Sequence, residues 1–136
     1  ESEIRAAGLT EQIRFIGQVE DVAAFLRGID ISVVPSQREP FGRVIIESMA
    51  MEIPVIASGI GGPLDIITPE TGLLVPPDQA SALAGAILKL LYNPGLCLVL
   101  GKRGREHVEQ HYTIQQTAKN VMAVYENLLG RRPVQA

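Results

Sequence analysis

Short apolar segments alternate with longer stretches of helical periodicity along the chain. Three of them are compact apolar runs, and the fourth, near the N-terminus, is rich in β-forming residues and contains a glycine. These segments, which we predict to be strands, are Arg14 to Val19, Ile31 to Pro35, Pro54 to Ala57 and Gly72 to Val75. Apolar strands that alternate with helices are typical of a parallel sheet covered by helices on both faces. The pattern therefore predicts an α/β protein.

The helical segments are recognised by apolar residues at spacings of three and four and by residues that cap helix ends. Asp21 and Thr113 are predicted N-caps, and Gly8 is a predicted C-cap. The predicted helices are the end of one within residues 1–13, then Val22 to Arg27, the segment up to about Met51, one turn over Leu64 to Ile67, Ala80 to Leu91, about Leu96 to Gln110, and a last helix after Thr113. We expect one domain over 1–130 and a frayed tail over 131–136.

Composition narrows the class of protein. A length of 136 residues predicts one domain with a modest core, and a net charge of −3 does not favour a nucleic-acid-binding surface. The single cysteine, Cys97, lies among apolar residues and is expected to be a packed thiol. No apolar run approaches the ~20 residues that span a bilayer, and no signal peptide is recognised. We therefore expect a soluble, cytoplasmic protein.

The turn Glu39-Pro40-Phe41-Gly42 joins the second predicted strand to a strongly helical stretch. Pro40 suits the start of a helix, and Gly42 allows the backbone to approach a ligand. The N–H groups of Phe41, Gly42, Arg43 and Val44 would then point out of the helix end without partners. This arrangement predicts an anion-binding site.

Glu47 lies on a helix whose other residues are mostly apolar, so we expect it to be partly buried. Two interpretations are open from spacing alone. In one, Glu47 pairs with Arg43 one turn earlier, which stabilises a helix by roughly 0.2–0.5 kcal/mol. In the other, Glu47 holds a hydroxyl group of a ligand.

Two further patterns favour no special chemistry. Gly59-x-Gly61-Gly62 follows a strand, but Leu64 occupies the position of the third glycine of a dinucleotide fingerprint, so we expect no NAD site. His107 and His111 are four residues apart on a helix, but they lack the zincin pattern and a third ligand. We expect two solvated histidines and no metal.

Glu39-Pro40-Phe41-Gly42 followed, after four residues, by Glu47-Ser48-Met49-Ala50 resembles the Glu-x7-Glu motif of the GT-B glycosyltransferases of family GT4, or group 1. The resemblance extends to about Leu129. It includes Arg14 to Gly17, Asp30 to Ser36, Pro54 to Ser58, Gly61-Gly62 and Thr71 to Pro77. One departure is that Pro63 follows the glycine pair directly in Gly61-Gly62-Pro63-Leu64-Asp65, one position earlier than in the family's Gly-Gly-x-Pro-Glu, and aspartate stands in place of glutamate.

The resemblance implies the donor-binding, C-terminal domain of a retaining glycosyltransferase, which transfers a sugar from a nucleotide diphosphate sugar to an acceptor. It implies that Glu39 supports charge at the anomeric carbon of the donor sugar and that Glu47 accepts hydrogen bonds from the ribose. The amides of Phe41, Gly42, Arg43 and Val44 would line the sugar and the diphosphate, and the base would lie against Gly17, Gln18 and Val19. No metal and no cofactor besides this substrate is implied.

The resemblance also implies that the first two strands of the Rossmann-like donor domain, with their Arg/Lys pair, and the acceptor-binding N-terminal domain lie outside these 136 residues. We therefore expect the chain to be inactive alone. Two alternatives are a non-catalytic interaction module on the same scaffold and a GT-B-type sugar-nucleotide epimerase, which Glu39 and the Pro-Phe-Gly turn disfavour. In the implied strand order 3-2-1-4-5-6, the segment Arg14 to Gly17 and the strand at Ile31 to Pro35 lose the neighbours between them. Either the segment Arg14 to Gly17 moves across to pair with the strand at Ile31 to Pro35, or another copy of the chain fills the space. We expect self-association through the exposed edge.

Overall fold

The computed structural model describes residues 1–130 and contains a three-stranded parallel sheet. The strands are β1 (Ser32–Val34), β2 (Val55–Ser58) and β3 (Leu73–Val75), in the order β1-β2-β3. Val33 is aligned with Ile56, and Ile56 is aligned with Leu73. Three of the four predicted strands are therefore confirmed, each with ends shifted by at most one residue, and their parallel arrangement is confirmed as well.

Seven helices are present in the described residues, and each lies within or close to a segment that was predicted to be helical. They are α1 (Ser2–Ala6), α2 (Val22–Leu26), α3 (Arg43–Ala50), α4 (Pro63–Ile66), α5 (Ala80–Leu91), α6 (Pro94–His111) and α7 (Ile114–Leu128). The Asp21 carboxylate accepts a hydrogen bond from the Ala24 N–H at 2.8 Å, and Thr113 Oγ1 accepts one from Gln116 N–H at 3.2 Å. Both predicted N-caps are confirmed. Gly8 has φ +70° and follows the C-cap of α1, where a left-handed residue commonly ends a helix.

Alternate residues of β2 face two separate halves of the core. Val55 and Ala57 pack with Ile45 and Met49 of α3, whereas Ile56 packs with residues of β3, α5 and α6. Helices therefore cover both faces of the sheet, as predicted for a Rossmann-like domain. All four side chains of β2 are buried, which makes this strand the centre of the fold.

The long helix α6 contributes to both halves of the core. Leu100 belongs to the half beside α5, and Val108 belongs to the half beside α3. Gly101 allows α6 to approach the end of α3 closely, because a Cβ atom at this position would overlap the carbonyl group of Glu52, which follows α3. Cys97 on the same helix is half-buried, with its Sγ 3.3 Å from the Leu90 carbonyl oxygen, as expected for a packed thiol.

The predicted strand over Arg14 to Val19 is wrong. In the described part of the chain this segment has no sheet neighbour, and a strand requires one to satisfy its N–H and C=O groups. Phe15 and Ile16 remain 65% and 55% exposed. Strand β1 is consequently an edge strand, paired with β2 on one side only.

The C-terminal helix α7 has no buried residue, although its sequence is amphipathic. No single helix of residues 1–130 has both the length and the hydropathy needed to span a bilayer, and the segments Ala80–Leu91 and Pro94–Leu128 meet the criteria only together, across a 100° bend. The predicted tail over 131–136 lies outside the described residues.

Candidate functional site

The carboxyl ends of the three strands meet at one edge of the sheet. A cavity of about 270 Å³ lies there, and it is lined by residues that end or follow each strand, among them Pro35, Ser58 and Pro76. In open α/β sheets this edge is where ligands bind, because the loops leave the strands there. The Glu39-Pro40-Phe41-Gly42 turn belongs to the loop that follows β1 at the same edge.

The Glu39 turn is held closely against the loop that follows β2. The Gly62 N–H donates to the Glu39 carbonyl oxygen at 2.9 Å. A Cβ atom at Gly61 would collide with the Glu39 carbonyl group, and one at Gly62 would collide with that of Phe41. Gly61 also has φ +66°, in the left-handed region that favours glycine. The Gly-Gly pair therefore serves to bring two backbones together, although the residues that follow it depart from the family's motif.

The carboxylate of Glu39 is half-buried and oriented by its neighbour. Ser36 Oγ donates to Glu39 Oε2 at 3.3 Å. Ser36 was not among the residues predicted for the site. Its position three residues before a glutamate in a loop could have suggested this contact, since serine hydroxyls commonly bond groups a few residues away.

Helix α3 begins one turn later than its proline suggested. Gly42 is the N-cap with φ +100°, so Pro40 lies in the preceding turn and not at the first helical position. The left-handed conformation of Gly42 is incompatible with a helix that starts earlier. No backbone or side-chain acceptor within residues 1–130 receives the N–H groups of Phe41, Gly42, Arg43 and Val44. The predicted row of unpartnered donors is therefore present in the structure.

The side of α3 that carries Arg43 and Val44 is exposed, whereas Glu47 is partly buried. Val44 is 49% exposed, and the Phe41 side chain just before the helix is 52% exposed. The buried residues Ile45, Ser48 and Met49 form the opposite face, which packs on the sheet and α6.

Glu47 is partly buried and pairs with Arg43 in this structure. The Arg43 guanidinium lies 3.4 Å from Glu47 Oε1, and the two side chains are 82% and 35% exposed. The first of the two interpretations of Glu47 thus describes the observed contact. A long, exposed pair one turn apart is worth only about 0.3–0.5 kcal/mol, so a ligand could displace it at little cost.

The segment Gly17-Gln18-Val19 forms no hydrogen bond with the rest of the site in the described residues. Gly17 has φ +67°, and Val19 is half-buried. Among the described residues no hydrogen bond links this segment to Glu39, Glu47 or the N-terminus of α3. The structure therefore brings the Glu39 turn and the α3 residues together, and shows no hydrogen bond between them and the predicted base-binding loop within residues 1–130.

A second connection at this edge was not predicted. Gln37 Nε2 donates to Asp78 Oδ1 at 2.8 Å, although 41 residues separate them. Asp78 lies in the turn between β3 and α5, with φ +57°. Only the polarity of the two residues signals such a bond in the sequence, because their proximity depends on the sheet order.

A larger, mainly apolar cavity of about 650 Å³ lies at the amino ends of the strands. It is lined by residues before β1 and β2, such as Ile31 and Pro54, and by Leu90 and Cys97. This position is remote from the loops at the carboxyl edge. Its size alone does not connect it with the chemistry of the Glu39 turn.

The expectation that both histidines are solvated is wrong for His107. The Nε2 atom of His107 is buried and has no hydrogen-bond partner in the described residues, and its ring centre lies 4.6 Å from that of His111. Burial, followed by the neighbouring His111, lowers the pKa of His107. No group of three or more His, Cys, Asp or Glu side chains in the described ranges is arranged to hold a metal ion.

Three features together define the class of protein. They are a parallel sheet, loops at the carboxyl ends of its strands, and a helix N-terminus whose amides have no partner in the described residues. This is the geometry on which doubly wound α/β proteins bind phosphorylated ligands. The sequence pattern of the family described as "Glycosyl transferases group 1" matches residues 1–107. The chain belongs to this glycosyltransferase family, and the resemblance drawn from its sequence motifs is confirmed.

Individual relatives agree with this assignment. A lipopolysaccharide core biosynthesis mannosyltransferase, LpcC, from Rhizobium leguminosarum bv. viciae is 35% identical over 130 residues, which are 95% of this chain and 37% of the relative. Sucrose-phosphate synthase from Thermosynechococcus elongatus has a similar structure, with a TM-score of 0.87 and 40% identity over 95% of this chain and 33% of that one. The chain thus spans about a third of the length of the relatives that it matches.

A third comparison involves a bound nucleotide. The Anabaena protein Alr3699/HepE, in a crystal structure with UDP, is similar with a TM-score of 0.83 and 25% identity. The similarity covers 90% of this chain and 35% of that one. The GT-B fold predicted from the sequence is therefore the fold of this chain's structural relatives.

Proposed function

We propose that this chain is the donor-binding part of a retaining glycosyltransferase that uses a nucleotide diphosphate sugar. The observation that carries the proposal is the row of four N–H groups from Phe41 to Val44, which have no acceptor within residues 1–130 and lie in the sequence between Glu39 and Glu47. Amides at a helix N-terminus attract a diphosphate, because their dipoles and free donors point toward it. Carboxylates on either side suit the hydroxyl groups of a sugar and a ribose.

Each predicted residue has a role in this proposal. The amides of Phe41, Gly42, Arg43 and Val44 bind the diphosphate and the sugar. Glu47 accepts hydrogen bonds from the ribose hydroxyls after its weak pairing with Arg43 is released. The released Arg43 guanidinium is then available as a cation near the phosphates.

Glu39 acts on the sugar in this proposal. Ser36 donates to its carboxylate, and the Gly62 N–H donates to its backbone carbonyl oxygen. The carboxylate stabilises positive charge that develops at the anomeric carbon. It serves as a stabilising group and not as a nucleophile. Gly17, Gln18 and Val19 would contact the base once their loop is positioned. No metal takes part in the proposed mechanism.

The relatives support this proposal at the level of the substrate class. LpcC is named a mannosyltransferase, and the Anabaena protein was solved with UDP. Because the chain spans about a third of such proteins, we propose that the acceptor binds to a part outside it and that these 136 residues do not turn over substrate alone.

Isothermal titration calorimetry on the 136-residue chain tests donor binding. UDP-glucose, GDP-mannose and ADP-glucose should be titrated separately, and we expect saturable binding of at least one. The N–H groups are then tested with Arg43→Pro, because proline is accepted at the first helical position and removes one donor. Arg43→Ala is the matched control, since it removes the same side chain and keeps the N–H.

We expect Arg43→Pro to bind the nucleotide sugar about 1.5–3 kcal/mol more weakly than Arg43→Ala, the range for a hydrogen bond to a charged group. Circular dichroism should show that both variants remain folded. If the wild-type chain binds none of the three nucleotide sugars, the chain is a non-catalytic module on the same scaffold. Equal affinities of the two variants would exclude the Arg43 amide from the site.

We also propose that the isolated chain associates with a second copy through the open edge of β1. Val33 on this strand is 36% exposed, and unpaired strand edges readily add another strand. Light scattering should give a mass above 14.7 kDa that rises with concentration, and Val33→Lys should reduce it. Leu88→Lys, on the exposed side of α5, is the control. A wild-type chain that stays monomeric at all concentrations contradicts this proposal.

A further inference from the structure

The hydrogen bond between Gln37 and Asp78 connects the loops that follow the two outer strands of the sheet. Gln37 follows β1 and Asp78 follows β3, and these strands are separated by β2. The two residues line the same cavity at the carboxyl edge, together with Ser58 at the end of β2. The bond therefore joins the Glu39 loop to the turn between β3 and α5.

Few other hydrogen bonds hold the part of the loop that precedes Glu39. Residues 36–38 accept and donate no backbone–backbone hydrogen bond in the described structure. Ser36 and Gln37 act through their side chains, Ser36 toward the Glu39 carboxylate at 3.3 Å and Gln37 toward Asp78 at 2.8 Å. Two adjacent residues of one short loop thus contact the Glu39 carboxylate and Asp78, respectively.

We propose that Asp78 is a positioning residue for Glu39, acting through Gln37 and the loop that carries Ser36. This inference rests on the proposed function as far as the donor sugar is concerned. A turn that is fixed by β3 and α5 is a suitable anchor, because it holds residues 36–38, which form no backbone–backbone hydrogen bond in the described structure. The sugar-facing carboxylate is then held in place before the donor arrives.

The backbone of Asp78 offers a different explanation, which must be separated from this one. Its φ of +57° lies in the left-handed region, and aspartate and asparagine are among the residues that adopt this region most readily. Asp78 could therefore serve the turn alone. Asp78→Gly and Asp78→Asn both allow a positive φ, but only Asp78→Asn retains a side-chain oxygen that accepts a hydrogen bond from Gln37.

The experiment compares these two variants in the 136-residue chain. Without ligand, ¹⁵N relaxation should report the order of the amides of residues 36–39, and the Gln37 side-chain amide resonance should report the bond itself. We expect Asp78→Gly to lower the order parameters and shift this resonance, and Asp78→Asn to preserve the order. Glu52→Gly is the control, because Glu52 also has a positive φ, of 60°, and follows α3 toward the other edge of the sheet.

Calorimetry then compares UDP-glucose with UDP, and GDP-mannose with GDP. We expect Asp78→Gly to weaken nucleotide-sugar binding by roughly 3- to 10-fold relative to the free nucleotide, as for the loss of one hydrogen bond, and Asp78→Asn to keep the wild-type ratio. Unchanged order parameters in Asp78→Gly, or the same loss in Asp78→Asn or Glu52→Gly, would overturn the inference. So would an equal loss for nucleotide and nucleotide sugar. If the wild-type chain binds neither pair, the proposed function fails, while the relaxation data still decide whether Asp78 orders the loop.

Discussion

The close packing of Gly62 against Phe41 gives a prediction that depends on geometry alone. A Cβ atom at Gly62 would lie 2.5 Å from Phe41 Cα and still closer to the Phe41 carbonyl group, whereas real Cβ atoms keep at least 3.0 Å from such neighbours. Gly62 itself has φ −53° and ψ −38°, which alanine adopts without strain. The substitution Gly62→Ala therefore perturbs only the contact between the two loops.

The loss of stability in Gly62→Ala follows from the atoms that must move. The obstacle is backbone, so one of the two segments must shift by at least about 1 Å, and overpacking of this kind costs roughly 1–3 kcal/mol. For a chain of this length that loss corresponds to a melting temperature lower by about 3–15 °C. The same shift moves the Phe41 amide, so nucleotide affinity should fall as well.

Thermal and urea unfolding followed by circular dichroism would measure the loss. Gly85→Ala is the matched control, because nothing lies within 4 Å of a Cβ atom at Gly85 in α5. Alanine in a helix interior should stabilise the control by roughly 0.5–1 kcal/mol. If Gly62→Ala proves as stable as the wild-type chain, the two loops are not packed as described and the argument is refuted.

Two further predictions concern stability. Burial lowers the pKa of His107, so the unfolded chain binds a proton more readily than the folded chain. The free energy of unfolding should therefore decrease as the pH falls below about 6.5, the ordinary pKa of histidine. Urea unfolding from pH 7.5 to 5.5 should show this slope in the wild-type chain and a flatter one in His107→Gln, and equal slopes would contradict the assignment. Thr113→Ala should cost about 1 kcal/mol through the lost cap of α7, measured by thermal unfolding, whereas the control Thr117→Ala on the same exposed helix should cost less. Equal losses in the two threonine variants would show that the cap is not what stabilises this helix.

Local signals in the sequence were sufficient for most of the secondary structure. Asp21 and Thr113 were recognised as caps because capping depends on residues within one turn. The apolar segment around Val55 and Ile56 was recognised as a buried strand because both of its faces are covered. Arg14 to Val19 has the composition of a strand, but a strand also requires a neighbour, which composition does not supply.

Part of the candidate site could also be predicted from the sequence, because that part depends on residues that are close together in the chain. The donors at the start of α3 follow from the local turn and helix, so Phe41 to Val44 could be named from the sequence. The bond between Gln37 and Asp78 joins residues that are distant in the chain, and the contact of Gly62 with Phe41 requires knowledge of how two loops pack. Such contacts depend on the order of the strands and are visible only in the folded chain.

The central claim is that Glu39 and Glu47 serve different parts of one nucleotide sugar. Calorimetry with UDP and UDP-glucose, or with GDP and GDP-mannose, on Glu47→Gln and Glu39→Gln tests it most directly. Glu47→Gln should weaken nucleotide and nucleotide sugar alike by roughly 1–3 kcal/mol, and Glu39→Gln should weaken only the nucleotide sugar. Unchanged nucleotide affinity in Glu47→Gln, together with a lower melting temperature, would contradict the claim and leave Glu47 as the structural partner of Arg43.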